Sequence, residues 1–324
     1  MYTFEHCQDM INKELEEISL KDSPVNLYEP IRYILSIGGK RLRPSLTLMG
    51  CNIFSDKIEN AIYPALAVEI FHNFTLMHDD LMDKSEIRRN YPTVHKKWEE
   101  NIAVLSGDAM LVKSYEYISK CHKDILDKAL SIFNQAAIKV CEGQQYDMDY
   151  EKSTDVSIPE YLNMIELKTA SLIAGALRLG ALAGQSISFD ADLMYEFGKN
   201  IGIAFQLQDD LLDVYADPVV FGKSAGGDIV SNKKTFLLVS ALNSKDEKIT
   251  SVLMKWIEKS EFNRDEKIKE ITGIFNELKL KELTESRIDD YFKLGLKSLD
   301  KVSVPDNRKI ILRNLTKRLV GREK

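Results

Sequence analysis

The sequence predicts an all-α protein, a single bundle of long helices with short connections. Three observations carry this. Only eight prolines occur, and none lies between Pro92 and Pro159 or between Pro218 and Pro305. Proline removes a backbone donor and clashes with the preceding turn, so long proline-free stretches rich in Ala, Leu, Lys and Glu suit helices. Clean alternation of apolar and polar residues, the mark of a half-buried strand, is scarce. Apolar spacing of three and four recurs instead: Ile125, Leu126, Ala129, Leu130 and Phe133 fall on one helical stripe. No composition shift marks a linker, so one domain spanning 1–324 is expected.

The chain is 44% hydrophobic and 29% charged, enough apolar material for a sizeable core. Its formal charge of -6 argues against a nucleic-acid binder, which shows a basic excess. Anionic substrates stay open, because Lys and Arg can cluster locally and a bound cation can invert an acidic cleft. Cys7, Cys51, Cys121 and Cys141 are scattered without CxxC spacing and read as reduced thiols. The first residues carry charge where a signal peptide needs an apolar run. The most apolar stretch, Ala170 to Gly184, is short for a membrane span, contains Arg178 and suits a buried helix. A cytoplasmic protein with no transmembrane segment is expected.

Taken in chain order, the first informative segment is Ile37-Gly-Gly-Lys-Arg-Leu-Arg-Pro44, with Lys40, Arg41 and Arg43 just after two glycines. Flexible glycines let backbone approach an anion while the side chains supply charge and forked donors. Next come Asp79, Asp80 and Asp83 in HDDLMD, echoed by Asp209, Asp210 and Asp213 in QDDLLD. Residues four apart on a helix share a face, so Asp79 with Asp83, and Asp209 with Asp213, crowd like charges together. Their neighbours are apolar (Leu76, Met77, Leu81, Met82; Phe205, Leu207, Leu211, Leu212). Such buried repulsion is most simply relieved by a hard divalent cation, magnesium above all. His72, seven residues before Asp79, falls on the aspartate face of an ideal helix. Ser157-Ile-Pro-Glu160 matches a capping box and should begin a helix. Gly143, Gln144 and Asp147 in GQQYD fit a helix-packing site and a functional site equally well. Arg88, Arg89, Lys168, Lys223, Lys233 and Lys234 surround the acids in sequence and complete a charge-balanced set.

With GGKRLRP at Gly38, LxGD at Leu105 to Asp108, GQQYD at Gly143 to Asp147 and FQLQDDLLD at Phe205 to Asp213, the chain resembles the trans-isoprenyl diphosphate synthases. That family includes farnesyl and geranylgeranyl diphosphate synthases. The resemblance implies a helical bundle around a central cavity (the type I isoprenoid synthase fold), usually a homodimer. It implies magnesium, three ions per site with substrate bound, on Asp79, Asp80, Asp83, Asp209, Asp210 and Asp213. Lys40, Arg43, His72 and Arg89 match the positions that hold isopentenyl diphosphate. Arg88, Lys168, Lys223 and Lys233 match those that hold the allylic diphosphate. Thr169 and Gln206 resemble the polar groups beside the reacting allylic carbon. Gly-bearing residues 223–233 resemble a loop that closes over the metals.

The implied reaction is ionisation, condensation and elimination, joining isopentenyl diphosphate to dimethylallyl, geranyl or farnesyl diphosphate. Family members limit product length with a bulky residue five before the first aspartate; here it is Phe74, with Thr75 next and Phe71 a turn earlier. On an ideal wheel, however, Leu76 faces the aspartates and Phe74 points nearly away. A geranylgeranyl product is expected, with farnesyl next. The alternatives are a class I terpene cyclase, which generally lacks the GGKRLRP site and a second DDxxD, and a noncatalytic subunit of a heteromeric synthase, which would have lost an aspartate motif.

Overall fold

In the computed structural model, residues 1–216 and 226–320 are described, and the expected helices are present. They are α1 (Phe4–Glu16), α2 (Val25–Ser36), α3 (Leu42–Phe54), α4 (Ile62–Met82), α5 (Val94–Lys97) and α6 (Glu100–Ile118). There follow α7 (Leu126–Glu151), α8 (Ile158–Ile165), α9 (Ser171–Ala183), α10 (Ser188–Tyr215) and α11 (Gly227–Val230). The last are α12 (Phe236–Leu242), α13 (Glu247–Glu258), α14 (Arg264–Glu277), α15 (Leu280–Asp300) and α16 (Asp306–Val320). Among the described residues the only sheet is an antiparallel ribbon of β1 (Ile87–Arg88) and β2 (Tyr91–Pro92), with Ile87 opposite Pro92.

The chain packs as two compact units. The first comprises Met1–Ala137, Gly175–Tyr195 and Lys301–Leu312; the second comprises Ile138–Ala174, Glu196–Asp300 and Arg313–Lys324. In the first, α4 is buried along most of its length by α3 and α6, with Ala67, Val68, Ile70, Phe71 and Met77 almost inaccessible. Phe71 meets Phe133 of α7 edge-on at 5.6 Å between centroids. Of the predicted stripe, Ala129 and Phe133 are fully buried, Leu126 and Leu130 are half-buried, and Ile125 just precedes α7; Ala136 continues it. In the second unit, Tyr161, Leu207, Phe236, Leu253, Ile271 and Phe275 form the core.

Local signals act as the sequence implies. Ser157 accepts the Glu160 N–H while Glu160 reaches back to the Ser157 N–H, closing the capping box that starts α8. Thr235 caps α12 by accepting the Leu238 N–H at 3.3 Å. The apolar stretch after Ala170 forms α9, whose Leu172, Ile173, Leu177 and Leu179 are buried. Arg178 turns outward to Asp192 at 2.6 Å. No described helix is long and apolar enough to cross a membrane.

Candidate active site

Within the first unit, residues 37–41 join α2 to α3 through a turn that an ordinary sequence could not make. Gly38 and Gly39 have φ of 79° and 146°, and Arg41 lies in the left-handed region at 46°. A Cβ on Gly39 would stand 2.7 Å from Arg89 Nη1, so only glycine admits that guanidinium. Arg89 donates to the Gly38 carbonyl. Its own position comes from the β1–β2 turn, where Arg89 and Asn90 have φ of 53° and 67°. Two left-handed residues in a two-residue loop make the hairpin turn that matches strand twist, at some strain for an arginine. Thr93 Oγ1 donates to Ser85 O at 2.7 Å and Tyr33 Oη to Pro92 O at 2.7 Å, clamping the open end of the ribbon.

Arg43 donates from Nη1 to His72 Nε2 at 3.2 Å. Arginine only donates, so this imidazole is neutral with its proton on Nδ1. Its pKa is held well below the usual histidine value, first by burial, then by Arg43, Arg89, Arg88 and Arg41. The structure thus brings Arg43, His72 and Arg89 together beside the exposed Lys40. Arg41 departs from the sequence reading. It is buried, donating to Asn12 Oδ1 at 3.2 Å, Glu69 Oε1 at 2.6 Å and Leu35 O at 2.6 Å. It anchors the turn and offers nothing to an anion. Asn73 completes this knot, donating to Glu69 Oε1 at 3.0 Å.

The first aspartate motif closes α4, with the Asp83 N–H bonded to Asp79 O at 2.8 Å. Asp79 and Asp83 reach solvent, whereas Asp80 is buried and accepts from Arg88 Nε at 2.7 Å. Burial raises the Asp80 pKa against the pull of Arg88.

In the second unit, Lys168 and Thr169 sit on a π-turn, Glu166–Ala170, inserted between α8 and α9. Such bulges frequently mark functional sites. Gly143 explains how it fits: a Cβ there would lie 2.2 Å from the Lys168 backbone nitrogen. One turn along, Asp147 accepts from Lys168 Nζ at 2.6 Å. GQQYD therefore serves packing and site together. Thr169 Oγ1 donates to Gln206 Oε1 at 2.9 Å, and Gln206 Nε2 donates to Asp210 Oδ1 at 3.0 Å.

The second aspartate triplet is divided in the same way as the first. Asp209 is exposed and Asp213 half-buried. Asp210 is buried, and accepts from Tyr161 Oη, Gln206 and the Phe236 N–H at 3.1 Å. Burial lifts its pKa to about 6, against the opposing pull of Lys233, Tyr161 and Gln206. Asp213 receives the Asp228 N–H on Oδ2 at 2.9 Å and the Gly226 N–H on its carbonyl at 2.7 Å. Burial alone would lower the Lys233 pKa, but Asp228, Asp210, Asp147 and Asp209 outweigh it and raise the ammonium above the usual lysine range. Lys223 lies outside the described residues.

Among the described residues no three of His, Cys, Asp and Glu converge into a preformed metal cage. Magnesium does not need one: it keeps waters and is held by one or two carboxylates together with substrate phosphates. The hard oxygen donors of both motifs fit that habit, and Asp80 Oδ1 is buried without a hydrogen-bond partner. Sequence reasoning missed Tyr161, Glu69 and Asn73. Each looks like an ordinary member of an amphipathic helix, and only tertiary packing shows what its polar atom holds.

Four similarities bear on this arrangement. The polyprenyl synthetase family profile matches residues 24–275. The chain is 34% identical over 304 residues to a geranylgeranyl diphosphate synthase of Sulfolobus acidocaldarius, covering 93% of this chain and 91% of that one. It is 38% identical over 233 residues to one from Methanosarcina mazei, covering 71% and 72% respectively. A solved geranylgeranyl pyrophosphate synthase superimposes with a TM-score of 0.94 at 40% identity, covering both chains fully.

Proposed function

Since the chain belongs to the polyprenyl synthetase family and is a prenyltransferase, we propose that it condenses isopentenyl diphosphate with dimethylallyl, geranyl and farnesyl diphosphates to an all-trans geranylgeranyl product. The observation that carries this reading is the cationic site of Arg43, His72 and Arg89 around the Gly38–Gly39 turn. A terpene cyclase takes one diphosphate and has no use for a second anion site. Relatives named for geranylgeranyl synthesis favour that chain length over farnesyl.

Lys40, Arg43, His72 and Arg89 hold isopentenyl diphosphate, each charge-assisted contact contributing roughly 1.5–3 kcal/mol. Asp79, Asp80, Asp83, Asp209, Asp210 and Asp213 would hold magnesium, three ions in the full complex, which would supply Lewis-acid neutralisation of the leaving diphosphate. Asp80 and Asp210 also position their neighbours: Asp80 aims Arg88, and Asp210 ties together Tyr161, Gln206 and the start of α12. Arg88, Lys168, Lys233 and Lys223 stabilise the charge that develops on the allylic diphosphate as its C–O bond breaks. Thr169 spends its proton on Gln206, so its hydroxyl lone pairs remain for the allylic cation. The isopentenyl double bond attacks that cation, and the departed diphosphate takes the proton whose loss forms the new double bond. Phe74, with Thr75 and Phe71, limits product length.

The same reading makes the protein a cytoplasmic homodimer whose 324 residues act as one domain. Supporting one domain, four of the five unit boundaries fall inside α7, α9, α10 and α16; supporting a dimer, α6 exposes Leu105 and Val112 at 61% and 70%. Purified protein with magnesium, labelled isopentenyl diphosphate and each primer should give acid-labile geranylgeranyl diphosphate. Label found only in a cyclic hydrocarbon, or no incorporation with any primer, would refute the proposal.

A further inference from the structure

Lys267 on α14 is fully buried, and no carboxylate among the described residues pairs with it. Its Nζ donates to Val230 O at 3.1 Å and to Asn232 Oδ1 at 2.7 Å. The ammonium also lies 4.2 Å from the Phe262 ring centroid. Burying a charge without a counter-charge is costly, and apolar replacements at such places are often neutral or stabilising. Burial duly lowers the Lys267 pKa from the usual lysine value. Stability alone gives little reason for this residue here.

What the ammonium holds gives a better one. Val230 ends α11, and Asn232 takes a left-handed backbone at φ 56° immediately before Lys233. At its other end the same segment is tied to the second aspartate motif, through the Gly226 and Asp228 N–H groups on Asp213. Internally, the Lys233 N–H closes onto Asp228 O at 3.0 Å. Residues 226–233 therefore form a strap fastened to Asp213 at one end and to Lys267 at the other.

We propose that Lys267 is a positioning residue, fixing this strap so that Lys233 and Asp213 keep the geometry that receives the magnesium-bound allylic diphosphate. This rests on the reading above of Lys233 and Asp213. Lys267 itself touches no substrate. A compact ammonium suits the task because its three donors can serve a carbonyl and an amide oxygen at once, without a rigid plane.

The test uses the full chain and four variants: Lys267→Met, Lys267→Gln, Asn232→Gly and Lys233→Ala. Lys267→Met should unfold at or above the wild-type temperature, yet lose at least about tenfold in kcat and gain several-fold in KM for the allylic primer. KM for isopentenyl diphosphate should stay within about twofold, since its site lies on other residues. Without magnesium or substrate, amide hydrogens of 226–233 should exchange about tenfold faster than in wild type, those of α4 unchanged. Lys267→Gln keeps a donor and should recover part of kcat. Should Lys267→Met not fold, Asn232→Gly carries the test, because it removes the shorter of the two acceptor contacts while permitting the left-handed backbone. Wild-type kcat and exchange in these variants, or equal rises in both KM values, would overturn the inference. Full activity of Lys233→Ala would instead remove the reading beneath it, whereas an impaired Lys233→Ala beside a normal Lys267→Met defeats the inference alone.

Discussion

At His72 burial first, and then four arginines, decide the protonation state, and the consequence is a measurable pH dependence. The unfolded imidazole takes a proton near 6.5; the folded one resists until well below that value. Below 6.5 the unfolded chain therefore binds more protons, and stability falls as pH falls, by up to about 1.4 kcal/mol per unit. Between about pH 7.5 and 5.5, wild type should lose about 1 kcal/mol more than His72→Gln in denaturant unfolding. Equal losses would show the folded imidazole to be protonated. Tyr161 offers a second residue-level test. Its hydroxyl donates to the buried Asp210, so Tyr161→Phe should cost about 1–3 kcal/mol and leave Gln206 less well fixed. An unchanged unfolding midpoint would contradict that role. His72 was legible in the sequence because seven residues separate it from Asp79. Glu69 was not: a carboxylate on a helix shows its partner only once Arg41 folds against it.

The π-turn is the element on which the second unit's site depends. Gly143→Ala places a methyl group 2.2 Å from the Lys168 nitrogen, and backbone must move to admit it. Overpacking of this kind should cost about 1–3 kcal/mol and pull Lys168 from Asp147. The expected kinetic result is a lower kcat and a higher KM for the allylic primer, with isopentenyl diphosphate unaffected. Equal effects on both substrates would show that the turn serves only stability. The capping box at Ser157 could be read in advance, because its partners are three residues apart. The π-turn could not, because it exists only through close approach to another helix. Likewise the two arginines after the first motif announce charge, while the hairpin that aims them rests on left-handed dihedrals at Arg89 and Asn90.

For the molecule as a whole, the all-helical fold was legible from proline spacing and apolar period, and the ordered motifs resembled one family. The division into two units was not, since four of its five boundaries fall inside continuous helices where no linker composition can mark them. Product length is likewise a property of the assembled protein. Phe74 is buried, its ring 5.4 Å from Phe71 and 4.7 Å from His78, whereas Leu76 is partly exposed. Phe74→Ala should lower stability by about 3–5 kcal/mol and shift the folded fraction to products longer than geranylgeranyl. A longer product from Leu76→Ala, with none from Phe74→Ala, would move the limit to Leu76. The central claim is that two diphosphates are held by two separate sets of residues. Steady-state kinetics of Arg43→Ala and Lys168→Ala, with each substrate varied in turn, test it most directly. Arg43→Ala should raise KM for isopentenyl diphosphate about tenfold or more and spare the primer, while Lys168→Ala should do the opposite or lower kcat. The reverse pattern, or the same change in both variants, would contradict the assignment.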